Sequence, residues 1–131
     1  MTTSSNTTLK PRALSSSSIV GTNVVNRQNE NMGEIKDLMI DLRTGEIQYC
    51  VLSFGGFLGL GGKLFAIPMG AFDVDTHEEQ FVLDASKERL EKAPGFDKDN
   101  WPSTSDDKFV NSVYSYYDVK RRTYNADPRL S

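Results

Sequence analysis

Glycine-rich loops bind phosphate because bare backbone N–H groups can close around an anion. This sequence has one such loop, Gly55-Gly56-Phe57-Leu58-Gly59-Leu60-Gly61-Gly62, with five glycines in eight residues. A P-loop ending at Gly62-Lys63 needs glycine where Phe57 stands and Ser or Thr where Leu64 stands. A dinucleotide fingerprint begun at Gly59-Leu60-Gly61 also fails at Leu64. The residues that follow, Lys63 to Pro68, read as a strand, so no helix N-terminus is there to hold a pyrophosphate. The loop instead carries Phe57, Leu58 and Leu60 on a glycine frame, which suits docking against another surface or folding back over the domain.

The remaining reactive side chains are isolated. His77 is the single histidine and lies in a turn beside Glu78 and Glu79, where solvation is its ordinary state. Cys50 is the single cysteine and sits inside a β-rich run, so it reads as packing; one cysteine excludes an internal disulfide and a multi-cysteine zinc site. Asp37, Asp41, Asp73, Asp75 and Asp84 fall at strand ends and turns. Asp73 and Asp75 alternate onto one face, yet a pair without loop ligands is not a calcium site. The expectation is therefore no catalytic, cofactor-binding or metal-binding residues, and no enzyme.

Charge narrows the partners. The 131 residues carry net −3, distributed unevenly: residues 1–18 have only Lys10 and Arg12, and residues 19–102 have eight basic against fourteen acidic side chains. That central stretch repels a phosphate backbone, and Lys120, Arg121 and Arg122 are too few for a nucleic-acid footprint. No apolar run approaches the roughly 20 residues of a membrane-spanning helix, and the N-terminus lacks the apolar core of a secretory signal. The expected setting is cytoplasmic, with no nucleic acid bound and no direct membrane insertion.

Residues 1–17 are an arm: ten of the first 18 are Ser or Thr, too little apolar surface to offset ordering. Ile19 to Val25 is β-branched and reads as a strand with a glycine bend. Asn26 to Gly33 reads as a turn, and Glu34 to Leu42 as a strand irregular near Asp37–Leu38. Arg43-Thr44-Gly45 supplies a hairpin turn, with glycine free to take positive φ. In the return strand, Glu46 to Phe54, Ile47, Tyr49 and Val51 share one face and Cys50, Leu52 and Phe54 the other. A strand apolar on both faces is central, or closes a barrel while also covering something outside. Pro68 ends the Lys63 strand. Ala71–Asp75 and Gln80–Asp84 form a second hairpin, and Ser86 to Ala93 a short helix ended by Pro94-Gly95.

Five to six short strands with one short C-terminal helix make a mainly β fold, a small β-barrel, over residues 18–102. Residues 103–131 read as an irregular, aromatic extension with a frayed end. Its rings, with Phe96 and Trp101, are too many for a disordered tail, so the segment packs across the barrel or onto a neighbour.

The order and spacing of several pieces resemble the PRC-barrel family from Ile19 to Trp101. They are Gly21-Thr22-Asn23-Val24-Val25, Gly33-Glu34-Ile35 with Asp37, Asp41 to Ile47, Ser53 to Leu60, Lys63 to Pro68, Val82-Leu83-Asp84, and Ala93-Pro94-Gly95-Phe96. Asp97 to Pro102 and Ser115-Tyr116-Tyr117 are similar to the tail of stand-alone bacterial members. Met69 departs from a frequent tryptophan and Asp118 from a frequent glycine. The resemblance implies an interaction module without a catalytic residue set. Similar domains occur in the photosynthetic reaction centre H subunit and in a ribosome-maturation factor. The H subunit's membrane helix and the factor's separate N-terminal domain have no counterpart in this sequence.

The expected function is a non-catalytic, homodimeric adaptor with an as yet unnamed protein partner. The alternative is a photosynthetic accessory protein supporting proton uptake through acidic groups. The expected contact surface is Phe57, Leu58, Leu60, Trp101, Tyr116 and Tyr117.

Overall fold

Ser15 opens the first element. In a computed structural model that describes residues 13–54, 63–103 and 106–121, the Ser15 side chain accepts the Ser18 N–H and caps a helical turn, α1 (Ser16–Ile19). The cap wins over the β propensity of Ile19, whose side chain is buried in the main core. The strand expected from Ile19 therefore shrinks to β1 (Asn23–Val25).

Buried Asn26 builds the next turn. Its Oδ1 accepts the N–H groups of Gln28 at 3.0 Å and Glu30 at 2.9 Å, and its Nδ2 donates to Glu30. This tight Asx geometry ends the turn early, so β2 (Asn31–Ile40) begins before Gly33, inside the stretch read as turn. The irregularity expected near Asp37–Leu38 is present: the register of β2 against β3 (Ile47–Ser53) shifts between Ile35 and Asp37, and again between Met39 and Ile40. At the first shift the Asp37 carboxylate accepts the Leu38 N–H.

After β3 come β4 (Lys63–Ile67), a 3-10 turn at Met69–Ala71, β5 (Phe72–Asp75) and β6 (Gln80–Leu83). Pro68 ends β4, and the β5–β6 hairpin pairs antiparallel through Phe72–Leu83 to Asp75–Gln80. Ser86 caps α2 (Lys87–Glu91) by accepting the Arg89 N–H. β7 (Gly95–Asp97) then pairs antiparallel with β4. The strands form one sheet in the order β5-β6-β1-β2-β3-β4-β7, antiparallel except where β1 meets β6. No ladder joins the end strands β5 and β7 among the described residues, so the sheet is open between them.

Two cores flank β3, as its pattern requires. Cys50, Leu52 and Phe54 join Ile19, Val24, Ile35, Phe65, Ile67, Phe72, Phe81, Leu83 and Leu90 in the main core, which draws on β1 to β6, α1 and α2. Tyr49 and Val51 face the opposite way, with Leu64 and Ala66, onto Val110 and Val113. Full burial of each large apolar side chain contributes about 1.5–3 kcal/mol.

The second core corrects the reading of the tail as irregular. Its cover is a ten-residue helix, α3 (Asp107–Tyr116). Asp106 caps it by accepting the Phe109 N–H at 3.0 Å. The helix is rich in Ser, Asn, Val and Tyr, poor helix formers, so local propensity speaks against it. Tertiary burial decides: Phe109, Val110, Val113 and Tyr114 recur at helical spacing and pack on the outer face of β3 and β4. The tail packs across the sheet, one of the two arrangements expected.

Candidate interaction surface

Backbone and side-chain hydrogen bonds brace the β2–β3 turn. The Asp41 carbonyl accepts Gly45 N–H at 2.7 Å, and its N–H donates to the Glu46 carbonyl at 2.8 Å. The Asp41 carboxylate accepts the Arg43 N–H and, through both oxygens, the Arg43 guanidinium at 3.2 and 3.0 Å. Those bonds hold the Asp41 carboxyl below its ordinary value. Gly45 takes φ 78°, as the turn requires.

This bracing points apolar side chains at solvent. Leu42 is 94% exposed and Ile40 50% exposed, the most open large apolar residues among those described. The turn also borders a cleft of about 700 Å³ against α3. Asp41, Glu46 and Asp107 line it together with Arg43, Lys120 and Arg121. Arg121 donates to Asp107 at 3.1 Å and to Asn111 at 2.6 Å. The charges alternate and pair, so the cleft has no single-sign field with which to concentrate an anionic ligand.

The expected contact residues are placed differently. Phe57, Leu58 and Leu60 lie outside the described residues. Trp101 is half-buried, tilted against Phe96 at 5.0 Å, and its Nε1 donates to the Lys98 carbonyl at 2.8 Å. Tyr116 lies under the Arg89 guanidinium, 4.8 Å from ring centre to Cζ, donates to the Arg89 carbonyl, and its own carbonyl accepts from Arg89 Nη2. Tyr117 packs against the main core with its hydroxyl buried and without a partner. Trp101, Tyr116 and Tyr117 thus hold the tail to the sheet. In the sequence, Ile40 and Leu42 read as ordinary residues of the Glu34 to Leu42 strand.

The polar candidates have local partners. Asp73 pairs with Arg27, both about half exposed. Asp75 accepts the N–H groups of His77 at 3.1 Å and Glu78 at 3.2 Å, fixing the β5–β6 turn, and His77 and Asp84 are exposed. Cys50 is fully buried, its thiol donates to Met69 Sδ at 2.8 Å, and burial pushes it up to about 12. A thiol held protonated in this way is a poor nucleophile at neutral pH. No three His, Cys, Asp or Glu side chains among the described residues are placed to hold a metal ion. No described helix is long and apolar enough to cross a membrane.

The PRC-barrel domain model matches residues 11–90 of this sequence. The chain belongs to the PRC-barrel family. The match takes in α1, β1 to β6 and most of α2, and stops before β7 and the aromatic helix α3. No curated protein matches the sequence.

In this PRC-barrel chain the buried acids share one direction of shift. Burial raises the Tyr49, Tyr114 and Tyr117 phenols above their ordinary 10.0 and the Cys50 thiol above its 9.0. Above those ordinary values the unfolded chain loses protons that the folded chain keeps. Stability from these groups is therefore complete below them and falls as pH rises. Urea midpoints are expected to be lower at about pH 11 than at about pH 8, with the loss smaller in Tyr117→Phe. An equal loss in that variant would remove Tyr117 from the account.

Proposed function

We propose that this PRC-barrel protein is a non-catalytic interaction module: a cytoplasmic adaptor of bacterial type that self-associates and meets its protein partner through the β2–β3 hairpin tip. The observation that carries this reading is Leu42, 94% exposed on a turn whose backbone is braced by Asp41 and Arg43. Exposed apolar residues on a rigid frame lose little entropy on binding, so their burial goes largely into affinity. The alternating charges of the neighbouring cleft suit a polar rim around such a contact. The acidic middle of the chain disfavours nucleic acid.

Affinity capture from the native cell extract tests the adaptor role. The wild-type chain is expected to retain a discrete partner, and Leu42→Asp, folded as judged by circular dichroism, is expected to lose it. Retention of a photosynthetic reaction centre would favour the proton-uptake alternative. Identical captures with both proteins would contradict a contact at the hairpin tip.

A further inference from the structure

We propose that the segment Tyr116–Val119 is a latch that opens as a unit before the rest of the fold, uncovering the flank of the main core at Ala71, Leu83 and Ala85. Three observations meet there, none of them used by the hairpin-tip reading. The Tyr117 hydroxyl is buried with no hydrogen-bond partner, so closing the latch strips water from a polar group and returns nothing to it. Asp118 stands at φ 55°, a left-handed conformation that disfavours residues with a Cβ. Tyr117 and Asp118 also line an open cleft of about 560 Å³ with Ala71, Leu83 and Ala85, so solvent already reaches the margin of the covered surface.

The bonds that oppose opening sit at the rim or run back to α3. Arg89 and Tyr116 exchange side-chain to carbonyl bonds, both exposed, and the guanidinium lies over the ring. The Val119 N–H donates to the Tyr114 carbonyl at 3.0 Å, the Asp118 N–H to the Ser115 carbonyl at 3.1 Å and the Tyr117 N–H to the Val113 carbonyl at 3.4 Å, and beyond the latch Arg121 donates to Asp107 and Asn111. The preceding part of α3 is held independently: Val110 and Val113 are buried in the second core, and the Tyr114 hydroxyl donates to the Gln48 carbonyl at 2.6 Å. The latch therefore has its own hinge, after Ser115, and its own balance of terms.

Native-state hydrogen exchange on the full chain tests this directly. The Tyr117, Asp118 and Val119 amides are expected to exchange together, by an opening that low urea accelerates measurably but less than it accelerates Val110 and Val113, which exchange far more slowly. Tyr117→Phe, which removes only the orphaned oxygen, should slow the latch amides about tenfold. Asp118→Gly should slow them about two- to fivefold. Arg89→Ala should speed them without changing Val110 and Val113. Fraying from the helix end predicts graded rates, with Val119 fastest and Tyr117 slowest, so three separate rates would overturn the proposal, and so would unchanged latch rates in Tyr117→Phe. So would exchange of Val110 in step with Val119, which would make the whole helix the opening unit.

Discussion

Gly33→Ala is expected to lower the unfolding free energy by about 3 kcal/mol or more, the sum of left-handed strain and a forced backbone shift. Gly33 lies in β2 at φ 105°, and a Cβ there would overlap the Ser53 carbonyl oxygen and meet the Phe54 backbone at 3.1 Å. The obstacle is backbone of the central strand β3, which cannot step aside as a side-chain tip would. The position also adjoins the shift in register where Val24 faces Gly33 and Val25 faces Asn31. Relief by sliding β2 would turn Met32 and Ile35, both fully buried, away from the main core. Urea unfolding followed by far-ultraviolet circular dichroism measures the loss. Gly45→Ala is a useful comparison, since nothing lies within 4 Å of a Cβ there and only the positive φ is penalised. Equal losses at the two positions would mean that close approach to β3 contributes nothing.

Val113→Asp is the second large effect. Val113 is fully buried between α3 and the outer face of β3 and β4, in a cluster of apolar side chains. A carboxylate there must stay charged among apolar groups or take up a proton, and either course costs about 3–5 kcal/mol. Val113→Ala, which only removes methyl groups, should cost about 1–2.5 kcal/mol. The contrast between the two variants, read by urea midpoints, tests whether the tail helix is part of the cooperative fold. If both substitutions leave the midpoint unchanged, α3 is an independent appendage and Tyr49 and Val51 have no cover.

Much of this architecture was legible in residue pattern. The two-faced run from Glu46 to Phe54 reads as a central strand or as one that closes a barrel while covering something outside, and Tyr49 and Val51 do face α3 while Cys50 and Leu52 face the main core. The turns at Arg43-Thr44-Gly45 and Thr76–Glu79, and the break at Pro68, follow from single-residue stereochemistry, which is local and therefore readable. What escaped depended on contacts distant in sequence. α3 is helical because β3 and β4 offer an apolar face to its stripe, against the propensity of its own residues. β7 is three residues long and exists because β4 has a free edge. The surroundings of the aromatic residues escaped for a related reason. Trp101, Tyr116 and Tyr117 are aromatic enough to dock a partner, and only the fold reveals that Phe96, Arg89 and the main core already hold them. Leu42 looks unremarkable between Asp41 and Arg43, and only the fold shows that its strand ends there and leaves it in water.

Sedimentation equilibrium of the purified chain, wild type beside Leu42→Asp, bears most directly on the claim that this protein works by contact at its hairpin tip. The wild type is expected to shift reversibly from one chain mass to two as concentration rises, and the variant, with an unchanged circular dichroism spectrum, to stay at one over the same concentrations. A wild type that remains a single chain at the highest attainable concentration, or a variant that associates equally well, would contradict it.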